Sequence, residues 1–131
     1  MEDTLISFDT ALLAKEKGFN NINCKAVYEN TKEYDFDEDT WTLYNKSINE
    51  KKQSKNKILC PTQSLLQKWL REVHNIHIEI YSHNNDWYFI LQSTHYPKSF
   101  EFKSQCEKDY QTYEEALEEA LQESLKLINN E

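Results

Sequence analysis

The sequence predicts an α+β fold in which helices pack a three-stranded antiparallel meander, with a smaller N-terminal part of one helix and strands. Apolar residues recur at helical spacing in three segments: near the N-terminus, after Pro61 and near the C-terminus. Directly after the second of these segments the apolar period changes from helical to two. A length of 131 residues corresponds to a single domain, residues 1–131.

The first helix is predicted from about Phe8 to Lys17. Ser7 precedes it and can accept a hydrogen bond from the free amides of the first turn. Gly18, the single glycine of the chain, follows the last turn, where a left-handed residue ends a helix. Phe19 can then fold back on that turn. The spacing places these residues on one face: Phe8, Ala11, Leu12 and Lys15.

Two strands are predicted before the middle of the chain. Residues Ile22 to Asn30 alternate between apolar and polar types until Val27 interrupts the pattern. Trp41 to Asn45 provides a possible partner strand. The polar, lysine-rich segment 45–57 that follows has few apolar anchors and is predicted to be a surface loop.

A second helix is predicted directly after the lysine-rich loop. Either Thr62 caps it or Pro61 occupies its first position. The predicted core stripe, centred on Trp69, contains Leu65, Leu66, Trp69, Leu70 and Val73. The predicted solvent-facing residues are Gln63, Gln67, Lys68, Arg71 and Glu72. The stripe favours a helix that packs in the core. A helix-turn-helix motif would need another helix shortly upstream, and the predicted lysine-rich loop lies there instead.

The meander is predicted from the residues that follow. Asn75 can end the second helix in a left-handed conformation. Ile76, Ile78 and Ile80 then point to one face, and the residues between them point to the other. A four-residue turn, 83–86, leads to a strand at 87–92, which is apolar on both faces and therefore belongs in the middle of the sheet. Ser99 to Gln105 gives the third strand.

The last helix begins after Thr112, which forms a capping box with Glu115. Its predicted buried face comprises Tyr113, Ala116, Leu117, Ala120, Leu121, Ser124 and Ile128. Its predicted exposed face comprises Glu114, Glu115, Glu118, Glu119, Gln122 and Glu123.

The sequence gives no support for a metal site or a known catalytic motif. Asp35, Asp37 and Asp39 alternate as at the start of a calcium loop, but Thr40 and Lys46 occupy the required glycine and glutamate positions. The spacing of the four histidines and Cys60 matches no metal motif. There is no phosphate loop, nucleophile elbow, HExxH motif or dinucleotide fingerprint. We therefore expect no metal and no cofactor. The missing motifs favour a non-catalytic protein, although carboxylates and histidines from separate segments could still converge on a catalytic site.

Composition and charge bound the partner class. The three cysteines form no CxxC pair, which suits free thiols in a reducing cytoplasm, and no apolar run is long enough for a membrane span. The net charge of −8 divides into −6 for residues 1–40, +4 for 41–106 and −6 for 107–131. Because the acidic ends repel a polyanion, nucleic acid is not an expected partner.

Three segments carry a resemblance to known proteins: ISFDTALLAKEKGF (6–19), PTQSLLQKWLREVHNIHIEI (61–80) and YEEALEEALQESLKLI (113–128). Together they resemble small uncharacterised proteins encoded by phages, prophages and mobile elements of Bacteroidetes. The resemblance covers the first helix and most of residues 61–131. It implies an accessory phage protein that acts in the cytoplasm of a bacterial host cell, and it assigns no functional residues.

Two hypotheses about function follow. The leading one is a non-catalytic phage-type accessory protein that binds a host or phage macromolecule, expected to be a protein. The alternative is a nucleotide-binding protein that sequesters or cleaves a host immune signal, because aromatic and histidine side chains near the predicted turn could stack a base. The candidate ligand-binding residues for this alternative are Lys68, Arg71, Tyr81, His83, Trp87, Tyr88 and His95.

Overall fold

The computed structural model of the chain divides into two compact units, residues 1–65 and 66–131. The residues that the structure describes are 4–20, 24, 26–30, 41–45, 57–93, 100–103 and 110–128. Most of the predicted lysine-rich loop, together with Ile22, His95 and the acidic segment 31–40, lies outside them. That the two units form one domain stays a prediction.

The described residues form three helices and two three-stranded antiparallel sheets, which confirms the predicted α+β class. The elements in chain order are α1 (Phe8–Glu16), β1 (Ala26–Asn30), β2 (Trp41–Asn45), β3 (Lys57–Cys60), α2 (Gln63–Val73), β4 (Ile76–His83), β5 (Asp86–Ser93), β6 (Phe100–Lys103) and α3 (Tyr113–Lys126). Among the described residues, no helix is long and apolar enough to cross a membrane.

The first sheet has the strand order β2-β1-β3, and its third strand was not predicted. Ile58, Leu59 and Cys60 of β3 are all buried, so the strand has no alternation of apolar and polar residues to reveal it. Ala26 and Val27 are consecutive on β1 and also buried. Because consecutive residues of a strand point to opposite faces, both faces of this sheet are covered at β1.

Helix α1 begins and ends as its sequence predicts. The Ser7 hydroxyl accepts a hydrogen bond from the Thr10 amide at 3.3 Å. At the other end the Gly18 amide donates to the Lys15 carbonyl and the Phe19 amide to the Ala14 carbonyl, which forms a Schellman motif. Gly18 has a φ of +94°. The predicted face was partly wrong, since Thr10 and Ala14 are buried with Ala11 whereas Leu12 is exposed.

The N-terminal segment pairs with the residues that start α2. The Ile6 amide donates to the Pro61 carbonyl, and the Gln63 amide donates to the Thr4 carbonyl at 2.7 Å. The Thr62 hydroxyl accepts from the Leu65 amide at 3.1 Å. Thr62 is therefore the cap of α2, which decides between the two alternatives that the sequence left open. Two of the first amides of the helix, those of Gln63 and Leu65, thus have acceptors outside the helical ladder.

Helix α2 buries only part of its predicted stripe. Leu66 and Leu70 are fully buried, while Trp69 is half-buried and Val73 is 59% exposed. Gln63 was predicted to face solvent and is instead 3% exposed. The stripe is thus narrower than the sequence suggested, and α2 reaches the core mainly through its two central leucines.

The second sheet is the predicted meander, with the strand order β4-β5-β6. Asn75 ends α2 at a φ of 56°, as expected. Asn84 and Asn85 both have positive φ and form a two-residue turn, so His83 and Asp86 already pair as strand residues. Strand β5 lies between β4 and β6, which confirms its predicted central position.

Helix α3 packs against β4 and β5 and covers one face of the meander. Phe89, Leu91 and Ala120 form a buried cluster, with Ile78 and Ile80 packed beside it. The Thr112 hydroxyl accepts from the Glu115 amide at 3.1 Å, and the Glu115 carboxylate accepts from the amide of Gln111 rather than that of Thr112. Tyr113 was predicted to be buried and is exposed, and Leu125, which the prediction assigned to neither face, is buried. Four residues of the predicted exposed face are half-buried: Glu118, Glu119, Gln122 and Glu123.

Candidate binding surface on the second sheet

The turn at Asn84 and Asn85 sets the register of the β4–β5 hairpin and places Tyr81 directly opposite Tyr88. The two rings stack with their centroids 5.5 Å apart and an interplanar angle of 27°. Tyr81 is 38% exposed and Tyr88 is half-buried. The hairpin therefore presents an ordered aromatic pair that is accessible to a partner.

Side chains alternate along a strand, so every second residue of β4 and of β5 lies on the side of the hairpin that carries these tyrosines. We call this side the outer face. Its members are His77, Glu79, Tyr81, His83, Asp86, Tyr88, Ile90 and Gln92. The four β4 members and Gln92 are exposed, and the other three are half-buried. The opposite side carries the isoleucines of β4 and is the side that α3 covers.

Trp87 does not lie on the outer face. Its ring contacts that of Tyr113 on α3 in a T-shaped arrangement, with centroids 5.7 Å apart, and its amide donates to the Tyr110 carbonyl at 3.0 Å. The aromatic group proposed from the sequence is therefore divided between two sides of the sheet. Trp87 and Tyr88 are consecutive residues of one strand, and consecutive strand residues point to opposite faces. The sequence therefore already indicated that the two rings lie on different sides of the sheet.

The other predicted ligand-binding residues are distributed over separate elements. His83 lies on the outer face next to Tyr81, two residues along β4. Lys68 and Arg71 are exposed on α2, and His95 lies outside the described residues. The structure thus brings together Tyr81, Tyr88 and His83.

Two carboxylates that the sequence reasoning missed flank the tyrosine pair. Glu79 precedes Tyr81 by two residues on β4, and Asp86 precedes Tyr88 by two residues on β5. Same-face neighbours on a strand are about 6.8 Å apart, within reach of one ligand group. The spacing of two residues could have indicated them once the strands were assigned.

Among the described strands, β4 lies at an edge of its sheet, and Gln67 of α2 contacts this edge. The side-chain amide of Gln67 donates to the Ile78 carbonyl at 3.3 Å. In a hairpin closed by a two-residue turn, the backbone groups of Ile78 point away from β5, which agrees with this bond. Gln67, predicted to face solvent, thus satisfies an edge carbonyl.

His74 lies at the junction between α2 and β4. Its ring contacts Trp69 edge-on, with centroids 4.7 Å apart. Burial of the imidazole lowers the pKa of His74 below its ordinary value, because the charged form loses hydration. The neighbouring His77 forms a 3.2 Å hydrogen bond with the Asn75 side chain.

Cys60 is fully buried and forms no disulfide. Its thiol donates to the Ile6 carbonyl, with sulfur and oxygen 3.4 Å apart. Among the residues that the structure describes, no group of three or more His, Cys, Asp or Glu side chains could hold a metal ion.

Comparison with known proteins adds no relative. The chain matches no protein-family model, no curated protein and no solved structure.

Proposed function

We propose that this chain is a non-catalytic accessory protein of phage type that binds a host or phage protein in the cytoplasm of a bacterial host cell. The stacked pair of Tyr81 and Tyr88 on the outer face is the observation that supports binding of a protein. The phage type and the location follow from the resemblance alone. The partner would dock on this face and cover the rings.

A protein partner fits the composition of the outer face. Tyrosine is enriched at protein interfaces, since its ring supplies contact area and its hydroxyl a hydrogen bond. Tyr81 and Tyr88 would form the centre of the contact, with the half-buried Ile90 beside them. The exposed polar members of the face would form the rim, as is typical of interfaces between proteins.

The nucleotide hypothesis has less support. A base could stack on Tyr81, but the Trp87 ring contacts α3 on the other side of the sheet. Glu79 and Asp86 would also lie near the phosphates of a nucleotide stacked on the tyrosines. Like charges at that range are repulsive.

The test is an affinity pull-down from host lysate with quantitative mass spectrometry. Three chains are compared: the unmodified chain, the double variant Tyr81→Thr with Tyr88→Thr, and the control Leu127→Ser. Threonine keeps the strand propensity of both positions. Leu127 is an exposed apolar residue directly after α3, the helix that covers the other side of the sheet.

We expect the unmodified chain and the Leu127→Ser control to retain the same protein, and the double threonine variant to lose it. Circular dichroism of each variant establishes that it is folded. Retention of that protein by the folded threonine variant would show that the outer face is not the binding surface. Co-purification of a nucleotide in place of a protein would favour the alternative.

A further inference from the structure

We infer that the outer face recognises a basic segment of its partner, with lysine or arginine side chains seated over Tyr81 and Tyr88 and paired with Glu79 and Asp86. The inference rests on the proposed function and specifies the chemistry of the partner. It is carried by the arrangement of aromatic rings and carboxylates on the hairpin.

The register orders the outer face in rows across β4 and β5. The row nearest the turn pairs His83 with Asp86, the next pairs Tyr81 with Tyr88, and the third pairs Glu79 with Ile90. Successive rows are about 6.8 Å apart along the strands. A carboxylate therefore lies one row before the tyrosine pair and another lies one row after it, on opposite strands.

This arrangement suits the two parts of a basic side chain. The methylene stem of a lysine or arginine can pack on a tyrosine ring, and its cation is attracted by the ring face. The head group can then reach the carboxylate in the adjacent row and form a charge-assisted hydrogen bond. Because the two carboxylates lie on opposite sides of the rings, the face can receive two cations.

The charge of the surrounding unit has the matching sign. Residues 66–131 contain twelve acidic and six basic residues, so that this unit carries −6 of the total −8. This charge lies in residues 107–131, since residues 66–106 contain four acidic and four basic residues. It disfavours an anionic partner at long range, while Glu79 and Asp86 provide the attraction for a cation at the outer face.

The experiment titrates the full chain with short peptides and follows its backbone amides by heteronuclear NMR. The probes are a peptide of glycine alternating with lysine and arginine, and matched peptides with glutamine or glutamate in place of the basic residues. Adenosine monophosphate is a fourth probe. The titrations are carried out at pH 8, where model imidazoles are uncharged.

We expect the basic peptide alone to shift the amides of residues 77–92. The variants Tyr81→Thr with Tyr88→Thr, and Glu79→Gln with Asp86→Asn, should each weaken binding at least about fivefold. The matched control is Glu114→Gln with Glu118→Gln. It removes the same charge from α3, which covers the other side of the sheet, and should weaken binding less than about twofold.

Three results would overturn the inference: no binding of the basic peptide, equal weakening by the α3 control, or preferential binding of the acidic peptide or of adenosine monophosphate. The proposed function fails separately, when the tyrosine variant retains the protein captured by the unmodified chain. A tyrosine-dependent capture without basic-peptide binding would refute the inference and leave the proposed function standing.

Discussion

The two sheets of this protein are both three-stranded and antiparallel, yet they bury their residues differently. Strand β1, in the middle of the first sheet, has the consecutive residues Ala26 and Val27 buried on opposite faces. Strand β4 of the second sheet buries isoleucines on one face, partly or fully, and exposes polar and aromatic residues on the other. One sheet is covered at its centre on both sides, whereas the β4–β5 hairpin has a side accessible to solvent.

This difference shows when alternation reveals a strand. Alternation arises because one face of a strand is solvated, and it disappears when both faces are covered. Strand β4 therefore follows the period of two and was predicted. Strand β3 is a continuous apolar run beside Pro61 and was not recognised.

The comparison is tested most strongly by substitutions of fully buried residues. Phe89→Ala in the second sheet should lower the free energy of unfolding by about 3–5 kcal/mol, and Leu59→Ala in the first by about 2–5 kcal/mol, because each leaves a cavity. Urea denaturation measures both. Leu43→Ala, at a residue 41% exposed, is the control and should cost less than about 1 kcal/mol. A Leu59→Ala cost equal to that control would show that β3 is not buried.

Substitution of Gly18, which ends α1 in the first unit, should lower the free energy of unfolding by a smaller amount. Gly18→Ala should cost about 1–2 kcal/mol, since alanine is disfavoured at the positive φ of this position. A Cβ there would meet no atom within 4 Å, so the cost is conformational rather than steric crowding. Thermal unfolding measures it. Gly18→Asn should cost less than Gly18→Ala, because asparagine tolerates this conformation, and the reverse order would contradict this explanation.

A helix start in the second unit provides the counterpart. Thr112→Ala should cost about 1 kcal/mol, because the Glu115 amide loses its acceptor. Thr112→Ser keeps a hydroxyl and should unfold at nearly the same urea concentration as the unmodified chain. If serine proved as costly as alanine, the capping bond would not be the cause.

His74, at the junction before the second sheet, should make the free energy of unfolding weakly dependent on pH. The pKa of His74 is lowered by burial in the folded chain, so the unfolded chain binds the proton more readily. The contribution of His74 to the free energy of unfolding is fully present above pH 6.5, the ordinary pKa of histidine. It declines as the pH falls from there through the lowered pKa of the folded chain. Urea midpoints at pH 7.5 and 5.5 measure the loss, which should shrink in His74→Gln. An unchanged loss in that variant would assign it to other groups.

In the last test, addition of DNA is expected to have no measurable effect, because we expect no binding. Residues 1–65 carry a net charge of −2 and residues 66–131 carry −6, so both units repel a polyanion. We expect no useful affinity for duplex or single-stranded labelled DNA at physiological salt. A micromolar complex that weakens steeply with added salt would contradict this expectation and the charge argument for the outer face.

Local signals in the sequence determined the ends of the helices and the course of the meander. Ser7, Gly18 and Thr112 act within one turn of their own positions, so their roles follow from neighbouring residues alone. The alternation of β4 and the asparagines at 84 and 85 likewise depend on nearby chain.

Tertiary structure decided which residues of a predicted apolar stripe are fully buried and which side chains meet. The same helical spacing placed Val73 and Leu70 on one stripe, yet only Leu70 is buried. The stacking of Tyr81 on Tyr88 required the register of the hairpin, and the position of Trp87 required α3 on the other side. Burial depends on what covers a residue from distant parts of the chain, and local periodicity contains no information about that cover.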